Sequence, residues 1–183
     1  MKKFLFAVLS CVSLASCSYN SGTILGYHIG PAKPYYLRDV HSIAVPIFGN
    51  NTTIPRIEAL VTNTVIKQFQ QDGTFRITSN ANADAILKGE ITRISRSPAR
   101  SVRGNVLATS EFNLVIRLRY KLIGRDGKPI AASSEVTGTT SFYVTNTSSE
   151  SITGDVVSDE RQALPLASEE LAAHLVSQLS EGW

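Results

Sequence analysis

The alternation across residues 110–123 limits what this chain can fold into more than any other stretch. Phe112, Leu114, Ile116, Leu118, Tyr120 and Leu122 occupy successive even positions, and Arg117, Arg119 and Lys121 fall between them. Neighbouring side chains on a strand point to opposite faces, so this period of two predicts a long strand with one buried and one basic face. A sheet that is apolar on one side needs a cover, which the rest of the chain must supply.

The sequence Gly124-Arg125-Asp126-Gly127 then predicts a hairpin turn. The facing stretch of about 129–145 carries Ile130, Ala132, Val136, Phe142 and Val144 at even positions. A two-residue loop would pair even with odd positions and set leucines beside Ser133, Glu135 and Thr137. A three-residue loop over 125–127, with Gly127 left-handed, sets Leu122 opposite Ile130, Ile116 opposite Val136 and Arg117 opposite Glu135. The second register keeps the apolar side chains together and adds an ion pair across the strands.

Two covers are present. Ile57, Leu60, Val61, Val65 and Phe69 recur at three- and four-residue spacing, which predicts a helix ending at Asp72-Gly73. Pro55 stands near its first turn, with Thr52 or Thr53 as the capping residue. Leu164, Ala167, Leu171, Leu175 and Leu179 predict a second amphipathic helix from about Ser158 to Ser180, and Pro165 either kinks it or marks its start. Shorter strands are expected over Ser42–Phe48, Thr74–Thr78 and Ala83–Ser95. Thr145 to Ser158 reads as a polar loop that a partner could order. The expected fold is α+β, a two-layer sandwich of an about four-stranded mixed sheet with two amphipathic helices packed on one face.

The N-terminus addresses the chain. Met1-Lys2-Lys3 is cationic, and Phe4 to Leu14 is an apolar run of about eleven residues. That is too short to cross a bilayer of roughly 30 Å and suits a signal-peptide core. Leu14-Ala15-Ser16-Cys17 resembles a bacterial lipobox, in which the cysteine becomes the first mature residue and carries acyl chains. Each buried methylene contributes about 0.8 kcal/mol, so two or three chains on Cys17 would hold the protein on a membrane. Ser18 stands where an Asp would favour inner-membrane retention, which points to the outer membrane and a periplasm-facing body. The expected organisation is a lipoprotein signal peptide over 1–16, a lipidated tether over 17–41 with one short edge strand near Tyr27, and a single domain over 42–183.

Several segments resemble the LPS-assembly lipoprotein LptE family. They are Cys17 with Gly26-Tyr27, Val45-Pro46-Ile47-Phe48-Gly49-Asn50-Asn51-Thr52, Ile57-Glu58-Ala59-Leu60-Val61-Thr62, and Ala83-Asp84-Ala85-Ile86-Leu87-Lys88-Gly89-Glu90-Ile91. The last, around Leu-x-Gly, is the most specific, and Gly49-Asn50-Asn51 departs from the charged residue often found before the threonine. The resemblance implies a lipid-anchored periplasmic protein that sits as a plug in an LptD-type outer-membrane β-barrel and takes part in delivering LPS to the cell surface.

Charge is spread unevenly. Residues 88–125 hold nine cations (Lys88, Arg93, Arg96, Arg100, Arg103, Arg117, Arg119, Lys121 and Arg125) against Glu90 and Glu111, a local +7. Residues 126–183 hold Lys128 and Arg161 against nine carboxylates, a local −7. Guanidinium groups make bidentate bonds to phosphate, so Arg93, Arg96, Arg100, Arg103, Arg117, Arg119 and Lys121 are candidate contacts to LPS or an acidic barrel wall. The other reading is a solvated face, partly neutralised by Glu135 and the acidic C-terminal helix.

Other classes have less support. Without Lys2 and Lys3 of the leader, 16 cations face 15 carboxylates, too even a balance for a nucleic-acid binder. Both cysteines fall in the first 17 residues, so the body carries no disulfide and no Cys-based metal site. His28, His41 and His174 stand beside no recognisable nucleophile motif, and the chain is expected to be neither an enzyme nor a cofactor carrier. A similar sandwich on an outer-membrane lipoprotein could instead activate a peptidoglycan synthase or belong to a secretion assembly.

Overall fold

The computed structural model describes residues 33–102, 105–143 and 152–181. The lipobox with Cys17, the Tyr27 strand, Arg103 and the Thr145–Ser151 part of the polar loop lie outside them. A short 3-10 turn, Tyr35–Leu37, leads into β1 (Ser42–Ala44), β2 (Gly49–Asn50), helix α1 (Ile57–Asp72) and β3 (Arg76–Ile77). Then follow β4 (Ala85–Val102), β5 (Asn105–Gly124), β6 (Ser134–Tyr143) and helix α2 (Ile152–Glu181). The packed body takes in Leu37 and Val40, upstream of the His41 boundary drawn from patterning.

The strands form one mixed sheet in the order β3-β1-β4-β5-β6, with β2 following β1 along the same edge of β4. β1 runs parallel to β3 and β4, and β4, β5 and β6 form an antiparallel meander. The sheet therefore has six strands where about four were expected. β3 falls within the strand expected over Thr74–Thr78, and the unexpected one, β2, is two residues long, too short to impose any period on the sequence.

Leu87 and Ile91 of β4, the even positions of β5 from Leu114 to Leu122, and Val136 and Phe142 of β6 meet both helices in one buried cluster. From α1 come Ile57, Val61, Val65 and Phe69, and from α2 come Leu164, Ala167, Leu171, Leu175 and Leu179. Two glycines let the layers close. Phe48 lies on the sheet at Gly89, where a Cβ would stand 2.8 Å from its ring, so the Leu-x-Gly segment is a seat for an aromatic. At Gly138, α2 crosses β6 so closely that a Cβ would run into the Ala167 carbonyl oxygen.

Three local expectations need correction. Neither Thr52 nor Thr53 caps α1: the N-cap is Arg56, left-handed at φ 64° and without a side-chain cap bond. Thr52 is spent one turn earlier, where its hydroxyl accepts the Ile54 amide at 3.3 Å. The far end is as expected, with Gly73 at φ 73° donating its N–H to the Phe69 carbonyl at 3.0 Å. Helix α2 begins at Ile152, so the C-terminal part of the expected polar loop is helical, and it runs through Pro165.

The β5–β6 register is the third. The three-residue loop forms, with Gly127 at φ 79° and the Ile130 amide donating to the Leu122 carbonyl at 2.9 Å. Two extra residues then enter on the β6 side before Ser134, where the Ser133 hydroxyl donates to the Tyr120 carbonyl at 3.2 Å. Beyond that point Leu118, not Ile116, faces Val136, and Arg119, not Arg117, faces Glu135. A shift by two leaves every side chain on its own face, so alternation cannot detect it.

Candidate functional site

Opposite the helices the sheet presents a polar face. Pairing across β4, β5 and β6 sets Lys88 beside Lys121, Glu90 beside Arg119 and Glu135, and Arg93 beside Arg117 and Thr137. Five cations thus share this patch with two carboxylates, and the carboxylates are already engaged. Glu90 accepts from the Asn51 side-chain amide at 2.9 Å, and Glu135 accepts from Arg117 at 3.1 Å. Lys88, Arg93, Arg119 and Lys121 make no ion pair among the described residues. A shallow depression of about 270 Å³ lies among Lys88, Glu90, Arg119, Lys121 and Ser133.

The structure divides the candidate arginines instead of gathering them. Arg93, Arg117, Arg119 and Lys121 stand on the outer face. Arg96 does not, because a bulge at Thr92 takes the pairing from Ile91–Leu118 to Arg93–Arg117 and exchanges the two faces of β4. Ile94 and Arg96 therefore pair with Ile116 and Leu114 on the helix side, and the Arg96 guanidinium reaches Glu160 of α2 at 2.8 Å. The sequence did carry a signal: continuing the buried phase of Leu87, Gly89 and Ile91 would bury Arg93. Arg100 stands further out, 3.6 Å from Glu111 and level with the last pair of β6, Glu111–Tyr143, beyond which β4 and β5 continue as a two-stranded arm.

The other end of the sheet is tied by Asp84. Its carboxylate accepts the Ser42 hydroxyl at 2.8 Å and the Ser42 and His41 amides at 3.0 and 3.2 Å. The Ser42 hydroxyl first, then these amides, with Arg125 at 3.5 Å, hold the carboxyl below the usual carboxylate range. On the helix side the Tyr120 phenol donates to Gln178 of α2 at 2.8 Å, and its burial raises its pKa above the ordinary tyrosine value. Among the described residues no three His, Cys, Asp or Glu side chains converge as a metal site would need, and no helix is long and apolar enough to cross a membrane.

The patch therefore consists of cations held on a strand surface, which can bind an anion. No curated protein matches the sequence at a significant level. Among solved structures, a dodecamer of a single-residue variant of PelC from Paraburkholderia phytofirmans superposes with a TM-score of 0.51 at 17% identity, covering 81% of this chain and 95% of that one. A minor lipoprotein from Acinetobacter baumannii superposes at a TM-score of 0.49 and 12% identity, covering 78% and 94%. The PelC likeness supports the fold alone. The family described as LptE, lipopolysaccharide-assembly, matches residues 40–179, from the approach to β1 to the last turn of α2. With that match spanning the whole α+β body, the chain belongs to the LptE lipopolysaccharide-assembly family.

Proposed function

We propose that this protein is an outer-membrane lipoprotein, held on the periplasmic side by acyl chains on Cys17, that serves as plug and assembly partner of an LptD-type β-barrel in LPS transport. The family match carries this reading, and the uncompensated cations of the sheet's outer face support a direct part for LPS. Lipid A and core phosphates are anionic, and Arg93, Arg117, Arg119 and Lys121 offer donors that no carboxylate among the described residues fully occupies. Arg100 would extend that contact along β4, whereas Arg96, on the helix side and paired with Glu160, stands apart from it. The protein's work is then to touch larger partners, and no covalent step is assigned to it.

Reversing Arg117 and Arg119 to Glu turns two of the five cations of the patch into anions. Retention of LPS by the immobilised variant at low salt should fall at least several-fold, and the loss should shrink as salt screens the wild-type contact. Undiminished retention would remove LPS from the role of the outer face. Co-purification tests the rest: recovery of a barrel of the LptD type supports the partnership, whereas recovery of a peptidoglycan synthase would favour the other envelope role.

A further inference from the structure

The two free edges of the sheet are treated differently. On β6 the outward-facing backbone is occupied by side chains from α2: Glu170 accepts the Thr139 amide, and His174 Nδ1 donates to the Thr137 carbonyl at 3.0 Å. An incoming strand finds those positions filled. β4 is covered by β1 and β2 only as far as Ile91, whose carbonyl accepts the Asn51 amide at 3.0 Å. From Thr92 onward β4 continues to Val102 with no strand on that side among the described residues, and residues 95–100 are exposed. An unpaired edge of this length is a template for strand addition unless it is guarded.

The guard here is charge. Arg93 and Arg96 flank the open stretch, at a groove of about 500 Å³ between the Asn51–Ile54 turn, Thr92–Arg96 and Glu160. A second copy pairing edge to edge would bring like charges together, which disfavours self-association. An acidic chain would be attracted to Arg93, which has no ion pair among the described residues, and would exchange with Glu160 for Arg96, now 2.8 Å from that carboxylate. Their spacing adds a specific requirement: three residues apart on one regular stretch beyond the Thr92 bulge, Arg93 and Arg96 stand on opposite faces, Arg93 outward and Arg96 on the helix side. Successive residues of an added strand point to opposite faces, so its carboxylates meet both arginines only at an odd spacing such as three.

We propose that the β4 edge from Thr92 to Pro98 receives an extended acidic segment of a partner protein as an added strand, with carboxylates three residues apart meeting Arg93 and Arg96. The full-length lipidated protein in detergent is titrated with two ten-residue Thr/Val peptides that carry two glutamates, spaced three residues apart in one and two in the other. A third peptide repeats the first with alternate amides N-methylated. The three-spaced peptide should bind at least fivefold tighter than the two-spaced one, N-methylation should weaken it at least tenfold, and Arg93→Ala or Arg96→Ala should each cost a further several-fold. Hydrogen exchange should show new amide protection within 92–98. Equal binding of all three peptides, no binding at millimolar concentration, or protection on β6 instead would overturn the proposal.

Discussion

Replacing Gly138 with alanine adds one methyl group where the two layers touch. The new Cβ would stand 2.6 Å from the Leu171 amide nitrogen and Cβ and closer still to the Ala167 carbonyl oxygen, all on α2. Ordinary carbon contacts are about 3.5–4.0 Å, so the helix would have to retreat by roughly 1 Å or more. The obstacle is helix backbone, not a side chain that can rotate away. A gap of about 0.5–1 Å already forfeits a quarter to a half of each dispersion contact. The contacts at stake are those of Ala167, Leu171 and Leu175, which are fully buried. Overpacking costs about 1–3 kcal/mol in general, and the backbone obstacle puts Gly138→Ala near the top, at about 3 kcal/mol. For a domain of this size that corresponds to a fall in Tm of roughly 6–12 °C. Gly127→Ala is the control: Gly127 has φ 79° but nothing within 4 Å of its would-be Cβ, so only backbone strain of about 1–2 kcal/mol applies. Thermal and urea unfolding of both variants, followed by circular dichroism, give the comparison. A Gly138→Ala protein within about 0.5 kcal/mol of wild type would refute the seating of α2 on β6.

The Asp84 bonds make stability depend on acid. Their contribution is fully present above the ordinary aspartate pKa of about 3.9 and is lost as pH falls through the depressed folded-state value. The gap in urea midpoint between wild type and Asp84→Asn should hold from neutral pH to about 5 and close below about 4; a gap unchanged at the most acidic pH would show that the carboxylate's charge is irrelevant. Tyr120→Phe deletes the donor to Gln178 and should cost about 1 kcal/mol, read from the same unfolding curves, with no change refuting a stabilising bond. Arg56 is the only non-glycine residue with positive φ among those described, so Arg56→Gly should not destabilise and should raise stability by a few tenths to about 1 kcal/mol. A clear loss there would mean the arginine side chain outweighs the backbone strain.

What the sequence made legible follows from how much free energy stands behind each pattern. β5 was readable because six successive even-numbered side chains are apolar and all lie on the core face. α1 was readable at its C-terminus, where Gly73 takes a conformation other residues resist, and misread at its start, where no side chain caps it. The parity of the β5–β6 hairpin was fixed by burial, but the two-residue slip past Ile130 changes no side chain's face and left no trace in hydropathy. The helical start of α2 mixes Ile152, Val156 and Val157 with Thr153, Gly154 and Asp155, residues that favour turns over helix, so its short apolar spacing does not announce a helix. Within the candidate site, Arg117, Arg119 and Lys121 share the outer face as the alternation of β5 implies, and Arg93 joins them only through the Thr92 bulge. Arg96 does not, and the sign of the bulge that moves it was an arginine in the buried phase of β4.

Depleting the protein from its host and quantifying LPS at the cell surface tests the central claim most directly. Loss of surface LPS, with LPS accumulating inside the envelope and the outer-membrane barrel failing to mature, is the expected result. Normal surface LPS in depleted cells would contradict a role in LPS assembly, whatever else the lipoprotein binds.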